Sequence, residues 1–143
     1  MRIERIAESE AVKRGAELFD GPVQPAACAR FLASAGLHLL FAYSDDGEVI
    51  GMISGVETTH PDKGTEMFLY ELGVVPRARR QGVATALVRA LAAQSEARGC
   101  YGMWVAVDAD NAAALATYRR SGADGQAACA TLSWQLAPSA TMS

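Results

Sequence analysis

The chain has 143 residues, half of them hydrophobic and a fifth charged, with 13 Lys and Arg against 16 Asp and Glu for a formal charge of −3. This length suits one domain with a sizeable core, no apolar run is long enough to span a bilayer, and Met1-Arg2-Ile3-Glu4-Arg5 lacks the apolar stretch of a signal peptide, so the expectation is a cytoplasmic protein without a membrane partner. The acidic balance argues against nucleic acid and suits a small cationic partner, and Cys28, Cys100 and Cys129, odd in number and without metal-type spacing, argue against a disulfide framework or a metal site.

In chain order, Arg2 to Ile6 reads as a short strand, and helices are expected near Ala11 to Phe19 and from Pro25 to Ala35, where proline suits a first helical turn. His38 to Tyr43 and Val49 to Glu57 are apolar runs flanking Ser44-Asp45-Asp46-Gly47-Glu48, whose Asp-Gly pair signals a hairpin turn. A polar turn over Thr58 to Thr65 leads into an apolar, β-branched strand from Met67 to Val75, which Pro76 ends because it has no backbone donor. Val83 to Ala97 is rich in helix formers with Leu87, Val88 and Leu91 at helical spacing, and Gly99 follows its end. Tyr101 to Val107 reads as another strand. Asp108-Ala109-Asp110-Asn111 offers caps for a helix from Ala112 to Arg120 closed by Gly122, and Ala127 to Leu136 reads as a last strand. No repeat or linker divides the chain, so residues 1–137 are expected to form a single domain with a mixed α/β sheet, and 138–143 a fraying tail.

The turn between the central strand and the long helix carries the strongest functional signal. Arg77, Arg79 and Arg80 precede Gln81 and Gly82 at a helix N-terminus, where the first N–H groups have no intrahelical acceptor and the dipole favours an anion. Small residues at Gly82 and Ala84 let an anion approach the backbone. A basic surface turn ahead of a core helix is the other reading of the same residues. A Walker A loop and a dinucleotide Gly-x-Gly-x-x-Gly turn are both missing.

Arg79-x-x-Gly82-x-Ala84 resembles the Arg/Gln-x-x-Gly-x-Gly/Ala motif of the GCN5-related N-acetyltransferases, and the order of elements is similar to theirs over nearly the whole chain. The resemblance implies a mostly antiparallel central sheet flanked by helices, with a strand pair splayed at a bulge, expected at Gly73, to hold acetyl-coenzyme A. It implies cofactor contacts from the backbone of Leu72 and Val74 and from the loop of Arg79, Arg80, Gln81, Gly82, Val83, Ala84 and Thr85. Asn111-Ala112-Ala113-Ala114 followed by Tyr118-Arg119-Arg120-Ser121-Gly122 is similar to a second family signature, which implies that Asn111 helps hold the cofactor and Tyr118 protonates the departing thiolate. Thr117 and Ala123 depart from that signature, where an apolar and an aromatic residue are usual.

Glu71 is an acid within an apolar strand, and a buried carboxylate is costly unless it faces a cavity, a partner or water. It is therefore a candidate base for a substrate ammonium, or else the partner of an arginine at a sheet edge. Asp108 and Asp110 stand where a cleft would open, with helix capping as their alternative role. Glu57 and Glu66 are weaker candidates, while His60 reads as a turn residue and His38 carries no catalytic signal. The stretch Glu66-Met67-Phe68-Leu69-Tyr70-Glu71-Leu72-Gly73-Val74 also resembles the class I aminoglycoside 3-N-acetyltransferases, implying acetylation of the 3-amino group of a gentamicin-type antibiotic, with Glu71, Asp108 and Asp110 drawing in the polycation. A polyamine, amino acid or peptide amine is the alternative acceptor, and a coenzyme A-binding sensor the alternative class. Family members often pair through terminal strands, which implies a homodimer.

Overall fold

In the computed structural model, which describes residues 1–138, alternation of apolar residues builds a five-stranded sheet in the spatial order β1-β2-β3-β4-β5. The strands are β1 (Arg2–Arg5), β2 (Leu37–Tyr43), β3 (Val49–His60), β4 (Gly64–Val74) and β5 (Met103–Trp104). The first three pairings are antiparallel and β4–β5 is parallel, reached through the helix that crosses between them. Because successive side chains alternate in face, β2 feeds two cores. Leu39, Phe41 and Tyr43 pack with Met52 against α1 (Ser9–Arg14) and α2 (Pro25–Ala33), while Leu40 and Ala42 join Ile53, Met67 and Leu69 beneath α3 (Val83–Ala97). Leu87 and Leu91 of α3 are fully buried, each contributing about 1.5–3 kcal/mol by leaving water. The last helix, α4 (Ala112–Arg120), packs beside α3 and lays Tyr118 on the same core.

Two glycines of β3 set how closely α3 approaches the sheet. A Cβ on Gly51 would lie 2.9 Å from Val83 Cγ1 and 3.3 Å from the Gly73 carbonyl, and one on Gly55 would lie 2.8 Å from Met67 Sδ and 3.1 Å from Leu91. Gly51 thus fixes the height of the N-terminal end of α3 above β4. The first helix is shorter than the sequence suggested. It ends at Gly15, pressed against Phe41, and continues as a 3-10 turn over Ala16–Leu18 before Phe19.

Three expectations need correction. The turn read over Thr58 to Thr65 is a three-residue connection, since β3 runs to His60 and β4 begins at Gly64, with register pairs continuing out to His60 and Gly64. The strand read from Tyr101 to Val107 pairs only through Met103 and Trp104. No strand forms over Ala127 to Leu136. Its alternating pattern is present, with Leu132, Trp134 and Leu136 exposed by 76%, 77% and 91%, but β5 offers an edge only two residues long and a strand without a partner has no ladder. Of the expected tail, residues 139–143 lie outside the described part.

Beneath the C-terminal end of α3, fully buried His38 shares a hydrogen bond of 2.8 Å between its Nε2 and Glu57 Oε2, and Arg98 binds the same oxygen at 2.9 Å. Burial lowers the His38 pKa despite the opposing pull of Glu57, so the ring is neutral, with Nε2–H donating. Its Nδ1 then carries only a lone pair, and it has no partner among the described residues. Burial works against the charge of Glu57, but the hydrogen bonds from His38 and Arg98 and the Arg98 charge outweigh it and lower its pKa. Both shifts have the same sign: the unfolded chain takes up protons more readily than the folded one. Stability from His38 is full above its unfolded value near 6.5 and is lost as pH falls through its lower folded value, and Glu57 adds a loss below about 4.5. Urea midpoints measured between pH 8 and pH 4 should therefore decline on acidification, and His38→Phe should flatten the upper part of that decline.

Candidate active site

Strict alternation would send residue 71 to the α3 side with Met67 and Leu69. Instead β4 carries an extra residue: Gly55 pairs with Leu69 and Ser54 with Glu71, leaving Tyr70 as a bulge. The slip moves Glu71 onto the α1/α2 face opposite Ser54, so an acid in an apolar strand reaches a cavity rather than the core. The expected bulge at Gly73 is not there, because Gly73 pairs regularly with Met52. Tyr70 keeps the face of Phe68. The two rings stand edge to face at 5.9 Å, and Phe68 stacks on Trp104 at 4.4 Å.

Two cavities meet at this point. One, of about 470 Å³, lies between the sheet and the segment from Val12 to Phe31, lined by Phe19, Val23, Cys28, Leu39, Ser54 and Tyr70 among others. The second, of about 380 Å³, runs along Leu72, Gly73, Val74 and Val75 to Pro76 and Arg79, with Glu17 and Leu18 on its other wall. Asp20 and Glu71 line both. Burial, and secondarily the charge of Asp20, raises the Glu71 pKa above the ordinary carboxylate value of 4.5.

The second cavity opens because β5 ends early. After Phe68↔Trp104, β4 has no strand on its outer side among the described residues. Val75 N–H donates to the Ile50 carbonyl at 2.9 Å, so alternation turns the backbone groups of Val74 and Leu72 outward into the gap, and Arg79 Nε donates to the Val74 carbonyl at 3.3 Å. The cleft leads to the N-terminus of α3, where Arg80 (φ 63°) and Gly82 (φ 79°) both take left-handed backbone conformations. Gly82 caps the helix without any side-chain bond, its carbonyl accepting from Ala86 N–H at 3.0 Å. The N–H groups of Val83, Ala84 and Thr85 are left without intrahelical acceptors. These donors, the positive end of a 15-residue helix and an exposed Arg80 fit a diphosphate, and the unpaired β4 edge fits an amide-bearing arm.

The other expected site residues are distributed as follows. Arg77 is engaged with Glu17 and Glu48 at 3.4 and 3.3 Å, and Gln81 donates to the Arg77 carbonyl. Asn111 Oδ1 accepts from Ala114 N–H at 3.1 Å and so caps α4, while the side chains of Asp108 and Asp110 are exposed and line neither cavity. Tyr118 is half-buried against the α3 core, where desolvation raises its pKa and keeps the phenol protonated, and it too lines neither cavity. Sequence reasoning left unassigned Asp20 and the residues of the wall, Phe19, Val23, Cys28 and Phe31. The one available signal was an acid placed between apolar Phe19 and the helix-breaking pair Gly21-Pro22.

A mixed sheet with a splayed edge leading to a glycine-capped helix is the architecture of an acyl-coenzyme A-binding transferase, and the profile of the acetyltransferase (GNAT) family matches residues 3–123, so the chain belongs to that family. Solved structures of the same fold include an aminoglycoside acetyltransferase from an uncultured soil metagenomic sample in complex with sisomicin (17% identity, 95% of this chain and 96% of that one, TM-score 0.85). An aminoglycoside antibiotic 6'-N-acetyltransferase from Acinetobacter haemolyticus superposes with a TM-score of 0.76 (24% identity, 96% and 100% covered). The aminoglycoside N-acetyltransferase AAC(6')-Iy in complex with CoA does so at 0.79 (20% identity, 93% and 98% covered). The last two of these act at the 6' position by name, so the class I 3-N resemblance finds no support among them. Gly82→Val should strain the left-handed cap by about 1–2 kcal/mol and raise the calorimetric Kd for coenzyme A by about tenfold or more.

Proposed function

We propose that the chain transfers the acetyl group of acetyl-coenzyme A to a primary amine of a small cationic molecule. The observation that carries this reading is Glu71, held by the β4 bulge at the junction of the two cavities with its proton affinity raised. The second cavity and the α3 N-terminus, with Leu72, Val74, Arg79, Arg80, Gln81, Gly82, Val83, Ala84 and Thr85, hold the cosubstrate, whose thioester supplies an activated acetyl group. An ammonium bound beside Asp20 gives a proton to the Glu71 carboxylate, and its freed lone pair forms the C–N bond as the C–S bond breaks. An outward N–H at Val74 stabilises the carbonyl oxygen as charge develops there. Protonation of the leaving sulfur by Tyr118, and cofactor contact by Asn111, rest on the family signature.

A finer acceptor, the 3-amino group of a gentamicin-type aminoglycoside with Asp108 and Asp110 as outer contacts, is a weaker reading than a singly charged amine, because neither aspartate lines a cavity. It draws on the β4 resemblance, while the 6'-directed neighbours make the 6'-amino group the competing position. We also infer a homodimer in which the segment 127–136 pairs with a second copy. Its support is the exposed alternation of Leu132, Trp134 and Leu136. Multi-angle light scattering should then return twice the chain mass, and the chain mass alone would end this reading.

Thiol release from acetyl-coenzyme A, with amines as acceptors, tests the chemistry. Glu71→Gln should lower kcat/KM by roughly 10²–10⁴ and abolish an acid limb that lies above the ordinary carboxylate pKa. Tyr118→Phe should lower kcat with coenzyme A affinity unchanged, and unaltered turnover would remove Tyr118 from the mechanism.

A further inference from the structure

The acceptor cavity has a division of chemistry that its carboxylates alone do not express. Both of its acids, Asp20 and Glu71, sit where it adjoins the cofactor cleft. Away from that junction the wall is made mainly by Val12, Phe19, Val23, Phe31, Leu39 and the ring of Tyr70, with exposed Gln24 at its edge and no further charged group. The volume of about 470 Å³ falls in the range of cavities that enclose small organic ligands, roughly 300–1,000 Å³. Asp108 and Asp110 line neither cavity and add no charge to this interior. One ammonium can be neutralised at the junction. Further ammonium groups on the same molecule that entered the cavity would lie against Val12, Phe31 and Leu39, losing water without a counter-charge.

Resting on the acetyltransferase reading above, we propose that the preferred acceptor is a primary amine carried by a short linker on an apolar, ring-sized body. The nitrogen lies between Asp20 and Glu71 and the ring fills the space between α2 and β2. Ser54, in register with Glu71 across the β3–β4 pair, stands beside the nitrogen and bounds the apolar part. An arylalkylamine meets this description, whereas a polyamine or a multi-ring aminoglycoside spreads its charge over too great a length. The chemical step is unchanged: the ammonium proton passes to Glu71, the C–N bond forms, and the C–S bond breaks.

The test compares phenethylamine with ethylamine, spermidine and sisomicin at saturating acetyl-coenzyme A, by thiol release from the full chain. Burying the ring should give phenethylamine a kcat/KM roughly tenfold to hundredfold above ethylamine, and above spermidine and sisomicin as well. Ala27 is an exposed residue of α2 that lines the cavity. Ala27→Phe should fill the ring's space and raise the KM for phenethylamine about tenfold, leaving the calorimetric affinity for coenzyme A unchanged. Equal efficiency for ethylamine and phenethylamine, or a preference for spermidine or sisomicin, would overturn the apolar acceptor while leaving the transferase reading standing. Silence with every amine would overturn it also, and a failure to bind coenzyme A in the same preparation would take the transferase reading with it.

Discussion

A single extra residue in β4 is the constraint on which the site depends. Without the bulge at Tyr70, the period of two would turn Glu71 into the core beneath α3, where a carboxylate is expensive to desolvate. With it, Met67 and Leu69 stay in that core while Tyr70 and Glu71 both serve the opposite face. The same strand is unpaired on its outer edge beyond Phe68, because β5 is only two residues long. One strand therefore presents a carboxylate to one cavity and backbone donors to the other. The site is built from an irregularity in register and an absence of pairing, both of which would weaken an ordinary sheet.

The rest of the fold holds these irregularities in place. Gly51 and Gly55 let α3 settle close to β3, which brings its N-terminal N–H groups level with the open edge of β4. The far end of α3 is tied down by Arg98 on Glu57, itself bound to buried His38. Arg77 bridges Glu17 and Glu48, joining the turn before α3 to the first helical segment and to the β2–β3 turn. The exposed Arg77 bridges contribute little energy individually. Their value is positional, since each ends on a segment that borders the second cavity.

What could be read from the sequence was what is local. The turn from Pro76 to Gly82 and the helix after it are encoded by neighbouring residues, while Gly82, read only for the close approach it allows, also takes a left-handed φ. Glu71 stood out because its chemistry conflicted with its neighbours. The bulge that resolves the conflict was assigned to Gly73, since glycine is the usual marker, yet it falls at Tyr70, where only the pairing with Ser54 and Gly55 reveals it. Asp20 and the apolar wall could not be assigned because residues from 12 to 71 converge only through the tertiary fold. Ala127 to Leu136 shows the opposite failure: alternation describes an amphipathic strand but cannot name the edge it pairs with, and β5 supplies almost none.

The two cavities draw on the chain unequally. Every residue lining the acceptor cavity falls between Val12 and Glu71, whereas the β4 edge and the cap that face the cofactor cleft fall between Leu72 and Thr85. The donors of the cleft thus follow the acceptor wall along the chain, while Glu17, Leu18 and Asp20 of the earlier stretch form the other wall of the cleft. Substitutions in α2 can re-cut the acceptor cavity without disturbing the donors at the α3 cap, since only Glu17, Leu18 and Asp20 of the N-terminal segment reach the cleft. Such segregation makes the acceptor the easier property to evolve, through changes in side chains such as Val23, Ala27 and Phe31 that lie outside the central sheet.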